Sequence, residues 1–162
     1  MNTTKKWIAL LTTASIMACG KKSGPEERIL YYPNSNKVMR KYTENQGKIE
    51  GKMQEFYPEG PLKMERDFKN GLEDGLNTLY YPDGQIKEKQ HFVQGVQQLG
   101  DTIFYPGNKP QLIVTFKDGK KNGLLQKWSP EGALSFEAMY ENDALKTVTK
   151  TPNTVEKSET SK

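Results

Sequence analysis

The chain has 162 residues, a mean hydropathy of -0.83, and 34% apolar against 27% charged residues. That length suits one domain better than two. No run of about 18 apolar residues follows the N-terminal stretch, which excludes a polytopic membrane protein. Fourteen glycines and nine prolines point to a chain of turns rather than long helices.

The first element, residues 1–18, reads as a secretory signal. Lys5 and Lys6 form a positive start, and nine of the twelve residues from Trp7 to Ala18 are apolar with none charged. The stretch is too short for a stop-transfer helix and closes on small residues. Ile16-Met17-Ala18-Cys19 resembles a bacterial lipobox, in which a peptidase cuts before the cysteine and the cysteine is acylated. Cys19 is the only cysteine, so no disulfide forms within one chain. Its expected role is lipid attachment, and two or three acyl chains anchor stably where one binds only marginally. The alternative is an inert thiol in an ordinary signal. Gly20, rather than Asp, follows the cysteine. By the sorting rule that the resemblance implies, the chain is expected in a bacterial cell envelope, and at the outer membrane of a diderm. Residues 19–28 read as the lipidated cysteine and a short polar tether.

The formal charge of the chain is +4 and its isoelectric point about 9.0. Such a value raises nucleic-acid binding, but the basic excess lies at the two ends. From Pro25 to Asp143 there are sixteen basic and eighteen acidic residues. No basic stripe is expected on the folded part, so no nucleic-acid partner is expected. The basic ends read mainly as solvated linker, with a secondary role against anionic lipid.

Residues 29–145 are a repeat. Pro33, Pro58, Pro82, Pro106 and Pro130 are spaced by 25, 24, 24 and 24 residues. Phe56, Tyr80, Phe104 and Trp128 stand two positions before the last four prolines. Tyr32, Tyr57, Tyr81 and Tyr105 stand directly before the first four, and Ser129 takes the fifth place. Tyr42, Phe68, Phe92, Phe116 and Tyr140 follow the prolines, and Phe136 alone lies off the ladder. Each unit reads as two short strands. Pro-Asp-Gly or Pro-Glu-Gly supplies a type I corner followed by a left-handed glycine. Asn70-Gly71 and Asp118-Gly119 mark the primed turns that suit hairpins. A second glycine, such as Gly51, Gly75, Gly100 or Gly123, opens the next unit. Leu62, Met64 and Phe68 alternate with Lys63, Glu65 and Asp67, so one apolar, aromatic face and one charged face are expected. One unit buries too little to stand alone, and neighbouring units must fold together.

Tyr-Tyr-Pro-Asp-Gly-Gln-Ile-Lys at 80–87, followed by Phe92 and Gly95, resembles the MORN-type repeat. More closely it resembles the bacterial MORN variant of proteins labelled YwqK-family antitoxins. The resemblance implies an all-β fold: an elongated, twisted antiparallel sheet of about five consecutive β-hairpins. It also implies an antitoxin-like neutraliser of a toxic partner as an alternative function. Departures from the pattern fall at Asn34-Ser35-Asn36, at Gly107-Asn108, at Pro110 and in the missing closing glycine of the fifth unit. A proline at 110 must lie at a strand start or an unpaired edge.

Residues 146–162 hold only Val148 and Val155 as apolar side chains and read as a disordered polar tail. The search for chemistry finds little. His91, the only histidine, neighbours Phe92 and falls on the opposite face. No metal-ligand cluster, nucleophilic set or phosphate loop stands out, so neither an enzyme nor a cofactor is expected. The aromatic ladder is expected to pack mainly on itself. Tyr57, Tyr81 and Tyr105 have the opposite parity to Phe56, Tyr80 and Phe104, which leaves one set accessible. With Trp128 they are the candidate partner-binding aromatics, since exposed aromatic strips mark interaction sites. The expected function is a lipid-anchored, non-catalytic interaction scaffold. Its partners are the membrane, through the lipid, and a protein or other envelope component.

Overall fold

The structure, a computed structural model, describes residues 24–151. The expected signal segment, Cys19 and residues 152–162 of the expected tail lie outside the described residues. The strands are β1 (Glu26–Tyr31), β2 (Val38–Asn45), β3 (Lys48–Phe56), β4 (Leu62–Lys69), β5 (Leu72–Glu73), β6 (Gly75–Tyr80), β7 (Ile86–Val93), β8 (Val96–Tyr105), β9 (Lys109–Lys117), β10 (Lys120–Trp128), β11 (Leu134–Glu141) and β12 (Ala144–Lys150). They form one antiparallel, open sheet of twelve strands, with sequential strands adjacent and the short β5 beside β4. No helix occurs among the described residues.

Two kinds of turn alternate, and the sequence dictates both. In the proline turns, the Gly60 N–H bonds the Tyr57 carbonyl at 2.9 Å and the Tyr57 N–H bonds the Pro61 carbonyl at 2.8 Å. Gly60 closes the loop at φ +111, which is a type I turn followed by a left-handed bulge residue. Tyr81 to Gln85 and Ser129 to Ala133 repeat the pattern. At the opposite edge, the pairs Asn45 with Lys48, Lys69 with Leu72, Val93 with Val96, Lys117 with Lys120 and Glu141 with Ala144 each close on two residues. Both central residues have positive φ, as in Asn70 at 54 and Gly71 at 83, the signature of the primed hairpin turn.

Successive units are tied at both edges. The hydroxyls of Tyr32, Tyr57, Tyr81 and Tyr105 donate to the carbonyls of Phe56, Tyr80, Phe104 and Trp128 at 2.6, 2.8, 2.7 and 3.1 Å. At the other edge, the N–H groups of Gly71, Gly95, Gly119 and Asp143 donate to the carbonyls of Ile49, Glu73, Gln97 and Lys121. Tyr81→Phe keeps the ring and removes one such tie. It is expected to cost about 1 kcal/mol in urea denaturation, whereas Tyr31→Phe, at a 52% exposed residue outside these ties, is expected to be silent.

The division of faces departs from the sequence expectation. Directly opposed residues share a face. The row Met64, Leu79, Glu88, Ile103, Leu112, Lys127 and Phe136 crosses seven strands on one face. The buried residues Met53, Met64, Val114 and Ala138 lie on this face, and so do buried Asn77 and Asp101. Arg40, bonded to Glu55 at 2.6 Å, and Arg66, bonded to Glu73 at 2.8 Å, stand there too. The other face carries the strand-end aromatics, as shown by the Tyr80 hydroxyl 3.2 Å from Glu65. Apolar and charged groups are therefore mixed on both faces. A single layer has no second layer to bury one face against, so each face is covered by its own long side chains.

The array also extends past its expected limits. β1 begins at Glu26, inside the expected tether, and β12 continues to Lys150, five residues past the expected end of the array. The free edge of β11 supplies the backbone partners. The Thr149 hydroxyl reaches a Glu137 carboxylate oxygen at 2.6 Å, and Lys146 pairs with Glu141 at 2.9 Å. Counting apolar side chains misses such an edge, because its stabilisation comes from the ladder and from β-branched threonines. In β8 one residue more separates the two glycines, and Leu99 takes φ +62 while 60% exposed. A left-handed leucine costs about 1–2 kcal/mol and a glycine loses about 0.5–1 kcal/mol more chain entropy. Leu99→Gly is thus expected to raise stability by about 0.5–1 kcal/mol in urea denaturation.

Candidate functional site

A concavity forms where the ladder breaks. In the fourth hairpin, Pro110 faces Phe104, in the place that Leu62 holds opposite Phe56 and Ile86 opposite Tyr80. Pro110 is the second residue of β9, at the strand start, where its missing N–H costs little. One unit later, Ser129 stands in the tyrosine position, so the turn after Trp128 carries no tyrosine ring. The result is a half-open groove of about 400 Å³ beside Tyr105 and Trp128.

Four adjacent strands line it. β8 contributes Ile103 and Tyr105, β9 contributes Gln111 and Leu112, β10 contributes Lys127 and Trp128, and β11 contributes Ser135. Internal bonds fix several of these. The Tyr105 hydroxyl holds the Trp128 carbonyl, and the Ser135 hydroxyl donates to the Lys127 carbonyl at 3.1 Å. The Lys127 ammonium lies 5.8 Å from the Phe136 ring centroid, a cation–π distance. Nearby, Lys109 donates to the Pro130 carbonyl at 3.1 Å. Among the described residues, no carboxylate lines the groove.

Of the four candidate aromatics, Tyr105 and Trp128 border this groove, joined by the bond from the Tyr105 hydroxyl to the Trp128 carbonyl. Tyr57 and Tyr81 stand in the second and third units, half-buried, with their hydroxyls committed to the next unit. Sequence reasoning missed Ile103, Gln111, Leu112, Lys127 and Ser135. The available signal was the clustering of two departures, Pro110 and Ser129, on either side of one aromatic pair.

A second cluster lies mid-sheet. Asp101 is 8% and Asn77 1% exposed. Gln97 donates to Asp101 Oδ2 at 3.3 Å, and Gln90 donates to Glu88 at 2.7 Å. Among the described residues, no group bonds Asp101 Oδ1 or Asn77 Oδ1. Burial, and then the Glu88 carboxylate, push the Asp101 carboxyl up to about 6. His91 faces Leu76 and Gln98 on the opposite side of the sheet from Phe92. Among the described residues, no group of three or more histidine, cysteine, aspartate or glutamate side chains is placed to hold a metal ion.

Residues 49–70 and 73–94 each match the family model described as the MORN repeat variant. No curated protein matches the chain. The groove lies C-terminal to the matched residues. The middle of the sheet, from β3 through β7, is therefore the part that is similar to MORN-variant repeats.

Proposed function

We propose that the chain is a lipid-anchored protein of the bacterial cell envelope that acts as a non-catalytic interaction scaffold. The observation that supports the scaffold reading is the half-open groove bordered by Ile103, Tyr105, Leu112, Lys127 and Trp128. Concave sites with a few polar groups among apolar ones are where partners bind, and aromatic side chains dominate binding energy. The anchor rests on Lys5, Lys6, the apolar stretch after them and the lipobox resemblance ending at Cys19. Gly20 supports the outer membrane in a diderm cell.

Two measurements test this. Intact-mass spectrometry should find a chain starting at an acylated Cys19, and globomycin should leave the uncleaved precursor. Crosslinking and affinity capture from native membranes should then recover a discrete partner. An unmodified amino end would overturn the anchor. Recovery of no partner, or of the same background as a Trp128→Ala, Lys127→Glu double variant, would overturn the scaffold.

A further inference from the structure

We propose that the primed-turn edge of the sheet rests on the bilayer, with Leu72, Val93 and Val96 at headgroup depth and the lysines beside them over anionic lipid. The inference rests on the Cys19 anchor and goes further by assigning the surface that meets the lipid. Three observations support it. The first is where the chain enters the sheet. Glu26, the first residue of β1, pairs with Glu44, beside the Gln46-Gly47 turn. The six residues from Gly20 to Pro25 reach at most about 22 Å. An anchor at Cys19 therefore holds this edge nearer the bilayer than the proline-turn edge, which lies a strand length away. The second is an uncovered apolar patch. The closing pairs Lys69 with Leu72, Val93 with Val96 and Lys117 with Lys120 all lie on the face opposite Met64. Leu72, Val93 and Val96 are 51%, 45% and 41% exposed. The row is continuous from turn to turn, since a Cβ added at Gly95 would lie 3.6 Å from Leu72 and one at Gly119 3.5 Å from Val96. Surfaces with apolar side chains among lysines lie at the boundary of headgroups and acyl chains. The third is charge. Lys48, Lys69, Lys117 and Lys120 flank the patch and are exposed. None of the four is in an ion pair among the described residues. Carboxylates along the same edge are already engaged. Glu50 accepts from the Asn70 N–H, Asp118 from Gln98 and Asp143 from the Lys121 N–H, and Glu141 pairs with Lys146. Free lysines on such an edge complement an anionic bilayer. The proline-turn edge then faces away from the membrane.

The test uses the full acylated chain, purified from membranes and reconstituted into vesicles of phosphatidylcholine and phosphatidylglycerol. Acylation consumes the thiol of Cys19, the only cysteine, so an introduced cysteine is the single labelling site. Gln94→Cys places a nitrobenzoxadiazole label in the patch, and Glu59→Cys places it at a proline turn. Lipid carrying a nitroxide near the headgroup should quench the label at 94 at least about threefold more than the label at 59, because an eight-residue strand such as β4 separates the two edges by about 26 Å. Lys69→Glu with Lys117→Glu should lose that difference, whereas Lys69→Arg with Lys117→Arg should keep it, a rescue that a merely structural role would not require. The difference should also shrink in vesicles of phosphatidylcholine alone. Equal quenching at 94 and 59, or quenching unaffected by the charge reversals, would overturn the proposal. So would a label at 94 that is shielded from lipid by a protein or by a second copy of the chain. If the chain floats with the vesicles and the label at 94 is not quenched, this assignment falls and the anchor stands. If the chain carries no acyl group and does not float, both fall.

Discussion

Gly75→Ala is expected to lower stability by about 3 kcal/mol. Gly75 has φ +133, and an added Cβ would lie 2.8 Å from Asp67 Cβ and 3.1 Å from its Oδ2. Two penalties therefore act together. The backbone conformation is nearly closed to L residues, and the crowding pushes against β4, where the Asp74 N–H already bonds the Asp67 carbonyl at 2.8 Å. Gly51 is the internal control. It has φ +74, and a Cβ added there would meet nothing within 4 Å, so Gly51→Ala should cost only about 1 kcal/mol. Urea denaturation of the two variants should separate them by about 2 kcal/mol. Equal losses would show that the approach of Gly75 to β4 contributes nothing.

The second large effect depends on pH. The Asp101 carboxyl sits at about 6 in the folded chain because it is buried and faces Glu88. A carboxyl raised on folding binds its proton more tightly in the folded state, so stability falls as pH rises from about 4 through 6. Above that range the folded state carries a buried charge with one oxygen unpaired. At 1.36 kcal/mol per pKa unit the full shift corresponds to about 3 kcal/mol. Relaxation around the site reduces it to on the order of 2 kcal/mol. Asp101→Asn keeps an acceptor for Gln97 and removes the charge. The variant should be more stable than the parent by that amount at pH 7.5 and nearly equal to it at pH 4. Destabilisation at pH 7.5 would mean that the Asp101 charge is matched by a cation in the folded protein.

Much of this architecture is legible in the sequence because its determinants are local and repeated. Asn70-Gly71 and Asp118-Gly119 specify primed turns at their own positions, and the proline spacing fixes the unit length. Gln46 and Gln94 take the same left-handed position, with Gly47 or Gly95 at the second corner. The mixing of the faces was not legible. Period-two alternation assigns Asn77 and Asp101 to the same side as Leu79 and Ile103, but it does not say that a single layer buries them there. The tyrosine ties were equally hidden, since a hydroxyl bond across 23 or 24 residues follows from the twist of the sheet rather than from any local pattern. The groove is read from an absence, the serine at 129, and a broken ladder signals a site only once the strands beside it are known.

The reading of the chain as a tethered scaffold is tested most directly by site-specific photocrosslinking in native membranes. Leu112→benzoylphenylalanine places the probe in the groove, and Asn70→benzoylphenylalanine places it at the primed-turn edge. The scaffold reading predicts one discrete crosslinked species from the groove probe, absent from the edge probe and lost on Lys127→Glu. Crosslinks of equal pattern from both positions, or none from the groove, would contradict it.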